Sequence, residues 1–269
     1  MQQDRISGAA EIERKAIKFI EKYIGKPSLF KKSVELLSTY PSMASIWNIV
    51  NFAFLYGKRA REKYEEMANA NKKVIENGAK FIRDNQTILT YSRSSTVART
   101  LKECKAKNIK IICSESRPRY EGRRLAKELS RMFPVIITTD AALPYFLDDA
   151  DFVLIGADAV LERHVINKAG TFPLAMVAKE KKKPLYVAAS SHKLFPFAFI
   201  KEEPGEEIWK NSPENVIVKN FYFDATPRKL IKAYIMEEGI ISKPSFKHEI
   251  AEEVEKIRDI LNERFYLVR

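Results

Sequence analysis

The chain is poor in the residues that usually anchor metals and crosslinks. It has two cysteines, Cys104 and Cys113, and three histidines, His164, His192 and His248, among 269 residues. Neither set matches a metal-ligand spacing, so no metal site is expected and the thiols are read as reduced. No run of about 18 uncharged apolar residues occurs, which excludes a spanning helix. The start, MQQDRISGAAEIERK, lacks the apolar core of a signal peptide, so the expected location is the cytoplasm. No G-x-G-x-x-G follows the first predicted strand, so the dinucleotide fingerprint is missing and no cofactor is expected. Glutamine is confined to Gln2, Gln3 and Gln86, while Lys and Glu abound, a balance that resembles heat-adapted proteins.

What the chain does have is positive charge, a formal net +12. This favours acidic partners without choosing among them. The basic residues fall in short clusters (Lys58-Arg59 with Arg61, Arg117-Arg119-Arg123-Arg124, Lys179-Lys181-Lys182-Lys183), each interleaved with Glu. Such clusters read as solvated helix faces, and RNA binding through a continuous basic stripe is disfavoured.

Residues 1–85 carry helical periodicity, beginning with Ile12, Ala16, Ile17, Ile20 and Tyr23 on one face. From Thr87 short apolar runs alternate with helical patterns: Thr87–Tyr91, Ile109–Cys113, Val135–Thr138, Phe152–Ile155 and Pro184–Ala188. Helices are expected between them at about Thr96–Ala106, Gly122–Met132, Ala142–Asp148 and Phe172–Lys182. Strands alternating with helices imply right-handed crossovers and a mainly parallel sheet covered on both faces. The expected fold is α/β: an N-terminal helical domain (1–85), a Rossmann-like domain (86–244) and a C-terminal amphipathic helix (245–269). Further along, Glu202–Glu214 reads as an irregular loop, Val216–Phe221 as a strand, and Thr226-Pro227 as the start of a helix to about Glu238.

The polar groups that follow each strand point to a site. They are Ser92-Arg93-Ser94-Ser95, Ser114 to Pro118, Thr139-Asp140, Asp158, and Ser190 to Lys193, all expected along one edge of the sheet. The stretch FVLIGADAVLERHVINKAGT, Phe152 to Thr171, is the most informative. It places Asp158 just beyond a buried strand, and Asn167 and Lys168 just before a helix with Thr171 as its cap. A carboxylate, an ammonium and a helix N-terminus would then meet in one crevice. The plainer alternative is that Asp158 pairs with Lys168 or caps a turn. The expected ligand-binding residues are Ser92, Arg93, Ser94, Arg117, Asp158, Asn167, Lys168 and Lys193.

Several ordered motifs carry a family resemblance: Tyr40-Pro41-Ser42, Ser116-Arg117-Pro118 with Glu121-Gly122, Ile155 to Asp158, Ile166 to Thr171, and Phe223 to Pro227. The chain resembles the family that joins the regulatory subunits of translation initiation factor 2B to two sugar-phosphate isomerases, acting on methylthioribose 1-phosphate and ribose 1,5-bisphosphate. The resemblance implies a helical domain joined to a Rossmann-like domain and a homodimer formed through the latter. In the isomerases it implies a thiol at the first strand end working with the aspartate of the Gly-Ala-Asp block. Here that aspartate is Asp158, but the thiol's place falls at or beside Ser92, and serine is a poor proton carrier near neutral pH. The arginines of two family motifs are also replaced, at Ser7-Gly8-Ala9 and Tyr40-Pro41-Ser42, and a glutamine is replaced by Glu121, which repels phosphate unless a neighbouring Arg neutralises it. These departures favour a non-catalytic protein that binds an initiation factor subunit and senses a phosphorylated metabolite or nucleotide in the crevice. The alternative is a sugar-phosphate isomerase with Asp158 as its acid/base.

Overall fold

The protein is described by a computed structural model covering residues 8–246 and 249–269. Four helices open it: α1 (Ala9–Glu21), α2 (Leu29–Thr39), α3 (Ala44–Tyr56) and α4 (Ala60–Phe81). α1 buries Ile12, Ala16 and Ile20, one residue per turn along a single stripe. α3 has no charged residue and is buried on nearly every side. At its centre Trp47 meets Phe197 edge-on at 4.9 Å, lies between Phe195 and Phe199, and donates its indole N–H to the Pro41 carbonyl at 2.9 Å. The three phenylalanines come from the α/β half of the chain, so the helical core is completed by residues distant in sequence.

The α/β half contains β1 (Thr87–Thr90), α5 (Ser95–Glu103), β2 (Lys110–Ser114), α6 (Glu121–Leu129), β3 (Val135–Thr138), β4 (Phe152–Ile155), β5 (Ala159–Val160), β6 (His164–Lys168), α7 (Thr171–Glu180), β7 (Leu185–Ala188), β8 (Ala198–Ile200), β9 (Phe223–Pro227), β10 (Ala233–Met236) and β11 (Gly239–Ile241). Seven strands form one sheet in the order β11-β10-β7-β4-β1-β2-β3, parallel except for the antiparallel edge strand β11. This is the expected mainly parallel sheet. β4 is central and fully buried, with Val153 opposite Leu89 on one side and Leu185 on the other. The chain winds one way from β1 through β2 to β3 and the other way from β4 to β7, so the switch of direction falls between β1 and β4. The carboxyl ends of strands flanking such a switch leave a crevice between them.

Several local expectations are corrected. The expected helix to about Glu238 is not found: Thr226-Pro227 ends β9, a single 3-10 turn, Arg228–Leu230, follows, and Ala233–Met236 forms β10, pairing in parallel with β7. All four β10 residues are buried, and completing the sheet outweighs the local helix-start signal. Val216–Phe221 is not a strand; Ile217 there is exposed, and Phe221 makes only an isolated bridge to Glu202. Residues 142–148 form a short 3-10 turn, Leu143–Leu147, with Pro144 near its start. Asn167 and Lys168 end strand β6, which pairs with β5 and β9 in a separate antiparallel sheet.

The final helix α8 is shorter than expected, Glu252–Asn262, and β12 (Tyr266–Val268) follows it and pairs with β8. The expected helix from Ser245 includes residues 247 and 248, which lie outside the described residues. Its late start has a cause in α3: Asn51 accepts from the Ala251 N–H at 2.9 Å and donates to the Glu249 carbonyl at 2.8 Å, holding that approach extended. α8 buries Val254, Ile257 and Leu261 in the core around Trp47.

Candidate functional site

β4 ends at Gly156, and the reason is steric. A Cβ there would sit 2.3 Å from Ser94 Oγ, so glycine lets the turns after β1 and β4 approach each other. The backbone of Asp158 is fixed on both sides: its N–H donates to the Ile166 carbonyl, and its carbonyl accepts from Ala44 N–H, each at 2.9 Å. Its side chain is not tied in this way. Among the described residues the Asp158 carboxylate makes no hydrogen bond, and it sits among Lys193, Glu13, Lys168 and Glu121. Burial pushes its carboxyl up to about 6, against the pull of Lys193 and Lys168 and with the push of Glu13 and Glu121.

The crevice at Asp158 encloses about 160 Å³. Five cations line it, Arg93, Arg119, Arg124, Lys168 and Lys201, against three carboxylates, Glu121, Asp158 and Glu203. Three of these cations hold a carboxylate: Arg93 that of Glu128, Lys168 that of Glu121 and Lys201 that of Glu203. Lys168 is buried, with its ammonium 3.2 and 3.3 Å from the two oxygens of Glu121 and 5.3 Å from the Tyr222 ring centre. Lys201 lies 3.3 Å from Glu203. The Glu121 charge is therefore balanced by a lysine rather than by the expected arginine, and Asp158 does not take Lys168 as its salt-bridge partner. Arg119 stacks on Tyr222 at 5.4 Å. The first residues of α1, Gly8 and Ala9, also face the crevice, whereas Ser7 lies outside the described residues.

The structure gathers Ser92, Arg93, Ser94, Asp158, Asn167 and Lys168 around this one space. Most of them also have structural duties. Ser92 takes a left-handed backbone, φ 63°, and its N–H donates to Ser116 Oγ at 3.1 Å. Arg93 holds Glu128 through Nε at 3.0 Å and Nη2 at 2.9 Å, and Lys102 shares that carboxylate. Ser94 caps α5, accepting from Val97 N–H at 3.3 Å. Asn167 donates to Thr171 Oγ1 at 3.0 Å.

Two expected residues are not part of the lining. Arg117 is exposed and turns outward, its guanidinium on the Tyr120 hydroxyl and, at 3.5 Å, on the Ile208 carbonyl. Lys193 faces a smaller cavity behind the crevice, where it binds Glu13. The helix N-terminus is corrected too. Gly170, φ 105°, occupies the cap position of α7, and Asp224 accepts from the N–H groups of Gly170 at 2.8 Å and Phe172 at 3.0 Å. Those donors are satisfied by a protein carboxylate and are not offered to a ligand.

Arg119, Arg124, Lys201, Glu203 and Tyr222 were not foreseen. The arginines stand in the recognised cluster, but the turn between β2 and α6 places Arg119 in the crevice while Arg117 faces out. Lys201, Glu203 and Tyr222 flank an irregular loop with no periodicity to mark them.

Fold and crevice together define a doubly wound α/β protein with a cation-lined cleft and, among the described residues, an unpaired carboxylate of raised basicity at its switch point. The chain belongs to the Initiation factor 2 subunit family, whose profile matches residues 6–243. It is 32% identical to the ribose 1,5-bisphosphate isomerase of Archaeoglobus fulgidus, covering 88% of this chain and 85% of that one. It is 36% identical to an eIF-2B subunit 2-like protein of Pyrococcus furiosus, over 91% and 94% respectively. The crystal structure of the Pyrococcus horikoshii translation initiation factor eIF-2B superposes with a TM-score of 0.79 at 31% identity, covering 90% of this chain and 94% of that chain.

Proposed function

We propose that the crevice binds a phosphorylated sugar and that Asp158 carries a proton between its C2 and C1, making the chain an aldose–ketose isomerase. The observation that carries this reading is the Asp158 carboxylate itself: free of hydrogen bonds among the described residues, and with its carboxyl pushed up to about 6. A base that must take a proton from carbon works best when it is ionised at the working pH yet no more acidic than necessary. In a sugar phosphorylated at C1, ring opening breaks the C1–O4 bond as O4 takes a proton from solvent; Asp158 then takes the C2 proton, and the electron pair of that bond forms the C1–C2 double bond of an enol phosphate, neutralising the positive charge left at C1. The cations that line the crevice meet the negative charge of the phosphate groups. The proton on Asp158 exchanges with solvent and is delivered to C1 while the C2 hydroxyl loses its own proton to solvent, matching the one taken up by O4 and leaving the ketone. One carboxylate serves both carbons, so the chemistry needs no thiol at Ser92. Arg119 and Arg124 supply guanidiniums for phosphate. The relatives named ribose 1,5-bisphosphate isomerase support this reading over the non-catalytic one that the residues at Ser92 and Glu121 favoured.

A second reading keeps its own support. Ser92 in place of a thiol, the engagement of Lys168 by Glu121, and the eIF-2B-like relatives of similar length favour a binding module on a translation initiation factor subunit, homodimeric through its α/β half, with the crevice sensing a phosphorylated metabolite or nucleotide. Phosphorus and proton NMR with ribose 1,5-bisphosphate in heavy water separates the two. Isomerisation yields a ketose phosphate carrying deuterium at C1, and Asp158→Asn removes it. Perturbed phosphate resonances without conversion, in protein whose fold is verified, would overturn the enzyme and leave the sensor. With neither conversion nor perturbation, the sugar-phosphate site itself is refuted.

A further inference from the structure

Asp158 lies between two ion pairs. Lys168–Glu121 bounds the crevice; Lys193–Glu13 lies behind it. Lys193 leaves the short turn after β7, the strand beside β4, and its ammonium is 2.6 Å from Glu13 Oε1 and 3.1 Å from Ser45 Oγ. The pair is largely withdrawn from solvent, with side chains 11% and 20% exposed. It lines a polar cavity of about 30 Å³ that also touches Ala157, the residue before Asp158, and Ser94. Of all the charges acting on Asp158, Lys193 attracts it most and Glu13 repels it most. Glu13 stands on α1, the helix whose first residues face the crevice.

We infer that Glu13 is a positioning residue for Asp158: by clamping the Lys193 ammonium against Ser45, it keeps that charge from settling on the Asp158 carboxylate. The purpose of the clamp rests on the isomerase reading of the same crevice; its physics does not. A lysine ends in a compact charge on a flexible stem, so an ammonium released from Glu13 swings toward the nearest unpaired anion. That anion is Asp158, on which Lys193 already pulls more than any other cation does; Glu121 is bonded to Lys168, and Glu237 accepts from the N–H and hydroxyl of Ser191. An opposite charge at contact distance depresses a carboxyl by about one to three pH units, and an aspartate so paired is a weak base for carbon. His192, next to Lys193, does not replace it, since burial holds its imidazole below its ordinary value and therefore neutral.

The test is carbon-13 titration of the Asp158 side-chain carboxyl, assigned with Asp158→Asn, in the full chain and in Glu13→Gln, Lys193→Met and the double variant. Glu13→Gln is expected to lower the midpoint by about one pH unit, and Lys193→Met to raise it. In the Lys193→Met background, adding Glu13→Gln should shift it far less. Ser45→Ala, which loosens the clamp without removing a charge, should give a smaller drop in the same direction and serves if Lys193→Met does not fold. An unmoved midpoint in Glu13→Gln overturns the inference. So does a drop of the same size with and without Lys193, or an unmoved midpoint in Ser45→Ala. The acid limb of kcat/KM should follow the carbon titration. Shifted midpoints in a protein that turns nothing over refute the isomerase and leave the clamp; turnover with unmoved midpoints refutes the clamp and leaves the isomerase.

Discussion

The turns after β1 and β4 lie side by side at the switch of sheet direction, and both are polar, yet their side chains are used differently. After β1, Ser94 is occupied as a helix cap and Arg93 by Glu128, while Ser92 is fixed through its backbone to Ser116. After β4, Asp158 has its backbone bonded on both sides and its carboxylate left without a hydrogen bond among the described residues. A polar residue at a strand end is therefore weak evidence of chemistry. An expensive one is stronger: a carboxylate kept half-buried without donors costs stability, and such a cost persists where function requires it.

This contrast can be broken, most severely at Asp158. Asp158→Asn should lower isomerase turnover by about 10²–10⁴-fold, the usual worth of a general base, measured as ketose phosphate formed. Ser94→Ala should leave turnover within a few-fold. Equal losses at the two positions would erase the distinction between the turns.

The same Asp158→Asn change should stabilise the fold. The folded carboxyl stands at about 6, above its ordinary 3.8, so the protonated form is favoured in the folded state. Its contribution to stability is fully present below about pH 3.8 and is lost as pH rises through about 6. The asparagine variant should gain about 3 kcal/mol over the parent above pH 7 and nothing near pH 3.5. Urea unfolding across that range checks both the size and the sign. A variant that is less stable at pH 8 would mean that the carboxylate has a partner in solution.

Gly156→Ala joins the two turns. Its Cβ would meet Ser94 Oγ at 2.3 Å and Ser94 Cβ at 2.6 Å, and neither is the end of a flexible chain. A loss of about 1–3 kcal/mol is expected, read by the same unfolding experiment. Gly156→Ala combined with Ser94→Gly should recover most of it. The smallest effect belongs to the β1 turn alone: Ser94→Ala removes the α5 cap and should cost about 1 kcal/mol at every pH. A pH-dependent loss there would tie Ser94 to the titration of Asp158.

Much of this was legible in the chain. The alternation from Thr87 onward located five parallel strands, because all five, including the exposed edge strand β3, are continuous apolar runs that polar loops interrupt. Periodicity also marked α1 through its buried stripe, and the position after Phe152–Ile155 pointed to Asp158. β10 escaped because an apolar run of four to eight residues reads equally as helix or strand, and only a vacant place beside β7 decides. Arg117 was chosen over Arg119 because no pattern in the sequence reports which side chain of the turn before α6 faces the crevice.

By itself the sequence determined the N-terminal helices and the strands β1, β2, β3, β4 and β7 in their order, since periodicity and strand-end polarity are local properties of neighbouring residues. Tertiary structure alone decided which of those polar groups remain unpaired. Whether Lys168 meets Glu121, 47 positions away, or Lys193 meets Glu13, 180 positions away, depends on elements that adjoin only once the sheet is wound and α1 has docked. Electrostatic interactions act through distance in space, and separation along the chain does not encode that distance.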